Sequence, residues 1–375
     1  VDPEEDMGRY DGMLDYIKES AAQVALDVDR REELTHSLVE TYARLSPRSI
    51  WLIACGSSSN ASRCAVPFMR RTLGCDVEVV NPASFLFSDH VPSDDTLCMV
   101  ISQSGCSTNS IKALDRLREL GRVAIGLTGN LDGDFRDHSD LLVDYGVGEE
   151  TVGYVTKGVT TLAEYLMLFS LEAARATGAI DEAAYDGSVA QFEAIPAAHE
   201  EVYRLTEEFY QTNRKGLTSI LTNYVCGFDQ AYGIACEAAL KFGETMKIPS
   251  FAYEAEEYNH GPNLQLTPNY TVFFVDDMNR GHDRLLQLWH ATSLVTDHAY
   301  LLTDADEQGD TVFHIPADHP ADPLLEPLYL LPFFQTIAFR ATDELGRWTD
   351  HPLMHQYKAA APSKTETIEK VMPNL

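Results

Sequence analysis

The chain has 375 residues, with 58 acidic and 28 basic side chains, a formal charge of −30 and 45% apolar residues. That balance argues against a nucleic-acid partner, which needs lysine and arginine against phosphates, and it leaves any anionic ligand dependent on local dipoles and a few placed cations. Seven cysteines with no CxxC pair and no Cys/His ligand spacing argue against a disulfide framework and a structural zinc site, and no apolar run is long enough for a membrane span.

In chain order, residues 1–30 read as an N-terminal helical segment whose acidic start, DPEED at 2–6, is no secretory signal; a cytoplasmic protein is expected. Short apolar runs then alternate with helix-compatible stretches. Strands are predicted at 50–55, 77–80, 97–102, 123–128 and 141–144, with helices from Ser59 and from Asn109 and a packed core helix over 160–177. Such alternation implies a parallel sheet with helices on both faces, so 31–178 form a first α/β domain. Residues 179–200, alanine-rich and acidic with Pro196, read as a connector. The pattern restarts over 201–350, where SILTNYVCGFDQAYGIA parallels SIWLIACGSSSNASRCA, including Cys226-Gly227 against Cys55-Gly56. The chain is an internal duplication, followed by a tail at 351–375.

Two turns of the first copy are crowded with hydroxyls. After the run 97–101 come Ser102, Gln103, Ser104, Gly105, Cys106, Ser107 and Thr108; after 50–55 come Gly56, Ser57, Ser58 and Ser59. A single turn of this kind is usually an ordinary helix cap, but adjacent turns at the carboxyl ends of parallel strands splay apart around a ligand. Neither the Gly-Lys-Ser/Thr of a phosphate-binding P-loop nor the three spaced glycines of a dinucleotide fingerprint is present. No cation lies inside the 102–108 turn, so it suits a sugar phosphate held by neutral dipoles at a helix start. Cys106 reads as a small hydrophobe and not a nucleophile. In the second copy Phe228, Asp229 and Gln230 replace the serines, and Asp276 and Asp277 replace Ser-Gln-Ser, so only the first copy is expected to seat a phosphate.

The second copy carries EAALKFGETMKIPSFAYEAEEYNHGP at 237–262. On one helix Glu237, Lys241 and Glu244 fall at i, i+4 and i+7, one above another, among apolar neighbours. The stripe is therefore expected to be semi-buried, with a carboxylate of raised pKa suited to general acid–base work. His260 follows in the turn Asn259-His260-Gly261-Pro262, a second proton carrier suited to sugar ring opening. Glu254, Glu256 and Glu257 read mainly as solvated charges.

Together these segments resemble the tandem sugar isomerase (SIS) domains of the glucosamine-6-phosphate synthase isomerase module and of the fructosamine-6-phosphate deglycases, from about Arg31 to the C-terminus. The resemblance implies two tandem SIS domains, each a flavodoxin-like parallel sheet flanked by helices. It implies that Gly56, Ser57, Ser58, Ser102, Gln103, Ser104 and Ser107 bind the sugar phosphate, and that Gly153 and Lys157, in the run EETVGYVTK, contribute nearby. It places Glu237 and Lys241 at the substrate, makes Glu244 the base between C1 and C2, and gives His260 to ring opening, typically from the partner subunit of a homodimer. The tail APSKTETIEKV resembles the family's closing segment and puts Lys364 beside the substrate.

The sequence also departs from that pattern. Cys106-Ser107 stands where the synthases carry Glu-Thr, Gly153-Tyr154-Val155 replaces their Val-Ala-Ser, and no glutaminase domain is seen, so glutamine-dependent synthesis is not expected. The leading expectation is a ketosamine 6-phosphate deglycase needing no cofactor and no metal. An aldose–ketose isomerase or hexosamine-6-phosphate deaminase is the alternative within the fold, and a non-catalytic sugar-phosphate sensor is the alternative outside enzymes.

Overall fold

The computed structural model describes residues 12–372 apart from Val152; the DPEED start and one position of the 150–157 run lie outside the described residues. Chain contacts divide into two compact units. One holds Gln23–Val189 and the segment from Asp350 onward; the other holds Met13–Ala22 and Ala190–Thr349. The stretch expected to be a connector is helical, with Glu182–Glu193 followed by the start of Ile195–Leu217, and Pro196 sits in that helix's first turn, where its missing N–H costs nothing.

The first unit is built on five parallel strands, β1 (Ser49–Ile53), β2 (Asp76–Val80), β3 (Thr96–Ile101), β4 (Ile125–Thr128) and β5 (Leu141–Asp144), in the order β2-β1-β3-β4-β5. Ile53 pairs with both Val80 and Val100, so the turns that leave β1 and β3 emerge at the same sheet edge. The chain winds outward in opposite directions from these two strands, and such a switch point is where open α/β sheets leave a crevice. Trp51, Ile53, Val80, Phe85, Cys98 and Val100 form one core face with Leu114 and Leu117. The predicted core helix runs Lys157–Thr177 and is buried along nearly its whole length. Truncating Leu166 or Phe169 there costs about 2–5 kcal/mol.

The second unit repeats the plan with β6 (Asn223–Gly227), β7 (Ser250–Glu254), β8 (Thr271–Val275), β9 (Ala299–Thr303) and β10 (Val312–His314), in the order β10-β9-β8-β6-β7. Read from the other edge this is the first sheet's order, strand for strand. Phe242, Phe273, Phe334 and Tyr300 interlock over its core.

One local expectation is corrected. The helix carrying the charged stripe ends as an α-helix at Lys241 and continues as a single π turn, Phe242–Met246, closed by Lys247 at φ 58°. The widened turn survives because its carbonyls find partners: Lys247 Nζ donates to Glu244 O at 2.5 Å and Arg347 Nη1 to Met246 O at 3.1 Å.

Candidate functional site

The helix after β1 begins at Gly56, three residues earlier than predicted, with Gly56 at φ 57° turning the chain directly into it. Ser57, Ser58 and Ser59 therefore belong to its first turn, beside N–H groups that lack helical partners. After β3, Gly105 at φ 63° folds the loop back, with its N–H on Ser102 O at 3.0 Å, and Ser102 Oγ meets Ser107 Oγ at 2.9 Å. Ser102 and Ser104 are buried. Asn109 Nδ2 reaches Cys55 Sγ at 3.3 Å, which ties the second turn to the first. The predicted Gly56, Ser57, Ser58, Ser102, Ser104 and Ser107 thus share one sheet edge.

Gln103 is held from behind. Its Nε2 donates to Glu150 Oε2 at 2.6 Å, and the Glu150 carboxylate also accepts from the N–H groups of Thr156, Lys157 and Gly158 at 2.7, 2.8 and 2.9 Å. Glu150 caps the core helix, where a negative charge meets the positive end of the helix dipole. A side chain at Gly158 would place its Cβ 2.3 Å from Gln103 Oε1. Glu150 and Gly158 were not singled out as site residues; an acid just upstream of a long apolar helix was the available signal. Lys157 is buried at the first position of that helix, while Gly153 lies exposed in the preceding loop.

The cation missing from the turn arrives from the far end of the chain. Ser107 and Lys364 form an antiparallel bridge, Thr108 N donates to Ser363 O at 3.1 Å, and Thr365 N donates to Cys106 O at 3.0 Å. Lys364 Nζ then donates to Ser104 Oγ at 3.0 Å and Ser107 Oγ at 2.8 Å. Asp134 anchors the strap by accepting from Thr365 Oγ1 and from Thr367 Oγ1. The Lys364 residue is exposed along its length, but its ammonium is packed against the serines, and that desolvation lowers its pKa below the ordinary lysine value. The hydroxyls of this turn are therefore joined by a cation that the turn's own sequence lacks.

The charged stripe belongs to the second unit. Lys241 Nζ lies 3.3 Å from Glu237 Oε1 and 2.9 Å from Glu244 Oε2; the side chains of Glu237 and Lys241 are 1% exposed and that of Glu244 is 33%. A solvated salt-bridge face is thereby ruled out. Burial alone would lower the Lys241 pKa, but the charges of Glu244 and Glu237 outweigh it and hold the ammonium above the ordinary lysine range. The arrangement is graded: an acid and a base sealed inside, and one carboxylate at the rim that solvent and a ligand can reach.

His260 is exposed at the end of the short helix Ala255–Asn259, ahead of Gly261 at φ 145° and a 3-10 turn over Pro262–Gln265. Two neighbouring glutamates do more than carry solvated charge. Glu254 caps the short helix through the N–H groups of Glu256 and Glu257 at 2.9 and 3.1 Å, and Glu256 pairs with Arg284 at 2.5 Å. Glu257 is exposed, as expected.

The SIS domain family model matches residues 45–171, the span that contains the whole first sheet and both serine-rich turns. Residues 45–171 are a SIS domain. The second sheet repeats its strand order, so the chain carries two copies of one parallel α/β plan, as two tandem SIS domains would. The chain is 25% identical over 279 residues to glutamine–fructose-6-phosphate aminotransferase [isomerizing] of Bacteroides thetaiotaomicron, covering 74% of this chain and 44% of that protein. It is 25% identical over 313 residues to the enzyme of the same name from Aquifex aeolicus, covering 81% and 50%. The chain thus spans about half the length of the curated relatives it matches. Among solved structures, a Clostridium difficile 630 protein described as a candidate phosphosugar isomerase superposes with a TM-score of 0.84 at 22% identity, covering 94% of this chain and 99% of that one. Among the described residues, no helix is long and apolar enough to cross a membrane.

Proposed function

We propose that the chain is an enzyme acting on a 6-phosphorylated ketosamine, releasing an aldose 6-phosphate and a free amine. The observation that carries the reading is the Lys364 ammonium set on Ser104 and Ser107 at the start of a helix, a constellation made for a phosphate dianion. In this proposal Gly56, Ser57, Ser58, Ser102, Gln103, Ser104 and Ser107 hold the phosphate, and Gly153 and Lys157 contribute to substrate binding. Lys364 neutralises the phosphate or assists ring opening.

Glu244 takes the proton from C1 of the open-chain ketosamine, giving an enolamine; protonation at C2 then leaves an imine at C1, which water hydrolyses. A rim carboxylate beside a fixed ammonium is suited to this, because Lys241 holds it in place and balances its charge while one face stays accessible. Glu237 keeps Lys241 charged in turn. His260 serves ring opening in the site of a second copy of the chain, in a homodimer. Proton transfer next to a carbonyl or imine proceeds with these residues alone.

The test is incubation with a panel of 6-phosphorylated fructosamines while glucose 6-phosphate is measured. Release that is lost in Glu244→Gln supports the deglycase. Interconversion of aldose and ketose phosphates without amine release makes it an isomerase, and binding without turnover by any member makes it a sensor.

A further inference from the structure

The turn after β8 stands in the second sheet where the seat stands in the first, and its chemistry is inverted. Asp276 and Asp277 follow Val275, Asp304 follows Thr303 at the end of β9, and His282 opens the helix His282–Ser293. Asp276 is fully buried. Its Oδ2 lies 2.7 Å from His282 Nδ1 and accepts from Thr303 Oγ1 at 2.5 Å, and its Oδ1 accepts from Met278 N at 3.1 Å. One donor atom each from Asp276, His282 and Asp304 lie within 4.8 Å of one another; His282 is half-buried and Asp304 exposed, so the group opens to solvent on one side.

Acidic groups cluster on many surfaces without binding anything, but this cluster continues inward. Asp277 and Glu326 are 3% and 0% exposed, and each leaves one carboxylate oxygen, Asp277 Oδ1 and Glu326 Oε1, with no hydrogen-bond partner. Gln230 Nε2 holds the two together, donating to Asp277 O at 3.0 Å and to Glu326 Oε2 at 3.1 Å. Burial first, and then the charges of Asp276, Asp277 and Asp304, push the Glu326 carboxyl well above the usual carboxylate range. Buried carboxylate oxygens without donors are costly, and a cation meets that need where no N–H is available.

We propose that the turn after β8 binds a divalent first-row metal ion through Asp276, Asp304 and His282 Nδ1, with Asp277 and Glu326 balancing its charge from the interior. Two carboxylates and one imidazole form a mixed oxygen–nitrogen set, suited to Mn²⁺ or Zn²⁺ better than to the all-oxygen cages of Ca²⁺ or the thiolate sites of softer ions. The spacing of 6 and 22 residues between ligands follows no linear metal motif; the sheet brings them together. The site uses none of the residues of the seat or the stripe, and its assignment does not depend on the proposed reaction.

The whole chain, stripped with EDTA and dialysed, is titrated separately with Mn²⁺, followed by electron paramagnetic resonance of the free ion, and with Zn²⁺, followed by a competing chromophoric chelator. High salt screens binding to exposed acids. Saturable binding of one ion per chain, weakened by about tenfold or more in Asp304→Asn and in His282→Gln, is the expected result. Asp276→Asn removes a buried partner of Thr303 and can disturb folding, so the exposed Asp304 carries the decision, with circular dichroism confirming the fold of its variant. Absence of saturable binding by both ions, or binding that Asp304→Asn and His282→Gln leave unchanged, overturns the proposal.

Discussion

The turns after β3 and β8 share a backbone and differ in every group that a ligand would meet. Ser102 N donates to Leu127 O at 3.1 Å, and Asp276 N makes the same bond to Leu302 O at 3.0 Å. The hydroxyls of Thr128 and Thr303 accept the N–H two residues on, from Asn130 at 3.1 Å and from Ala305 at 3.0 Å. On this common frame the first copy presents serines, a glutamine and the Lys364 ammonium, whereas the second presents carboxylates and an imidazole. The difference teaches that strand order decides where a ligand sits, and side chains decide its charge.

The largest expected effect separates chemistry from binding. Glu244→Gln is predicted to lower turnover by about 10²–10⁴-fold, the contribution of a positioned general base, while calorimetry finds affinity for a sugar phosphate within a few-fold of the parent. Equal loss of affinity and turnover would make Glu244 a binding residue.

Next comes the imported cation. Lys364→Ala is predicted to weaken glucose 6-phosphate binding by about 1.5–3 kcal/mol, the range for a hydrogen bond to a charged group, measured by calorimetry against the unphosphorylated sugar. An unchanged affinity would return the seat to the neutral dipoles that its sequence suggests.

A pH titration sharpens the same contrast. Desolvation lowers the Lys364 pKa, so its charged form is lost as pH rises, and is lost earlier than for an exposed lysine. Affinity for glucose 6-phosphate is therefore expected to fall on the alkaline side before the ordinary lysine value is reached, and Lys364→Arg, which stays protonated, is expected to flatten that limb. Identical profiles in the two proteins would place the titrating group elsewhere.

The smallest effect concerns support from behind the seat. Gly158→Ala drives a methyl into Gln103 and is expected to weaken sugar-phosphate binding severalfold with a stability loss of about 1–3 kcal/mol. Gly187→Ala, on an open face of the helix Glu182–Glu193, meets nothing and is expected to stabilise by about 0.5–1 kcal/mol. Thermal denaturation of the two variants reads the difference.

Much of this frame was legible in the sequence because its signals are local. Strand and helix alternation named the sheets, and hydroxyls after β1 and β3 marked the two turns that emerge together at one end of the first sheet, since both depend on residues next to one another. The start of the helix at Gly56 was missed because serines read as a loop until Gly56 is seen to turn at positive φ. The π turn at Phe242–Met246 was invisible because regular helical spacing was assumed through Glu244, and the partners that stabilise it, Lys247 and Arg347, lie outside the helix. The strap was least legible as chemistry. Lys364 lies 257 positions from Ser107, and only the tertiary pairing of Ser363 and Thr365 with Thr108 and Cys106 gives it a fixed place. The acids that follow β8 read as erosion of a seat; their gathering with His282 and Glu326 appears only once β8 and β9 are side by side.

A crystal structure with glucose 6-phosphate tests the central claim most directly. The account predicts the phosphate among Ser102, Ser104 and Ser107, with an oxygen within hydrogen-bonding distance of Lys364 Nζ and no phosphate at the turn after β8. A phosphate seated against Asp276 and Asp277, or on the turn after β6, would contradict it.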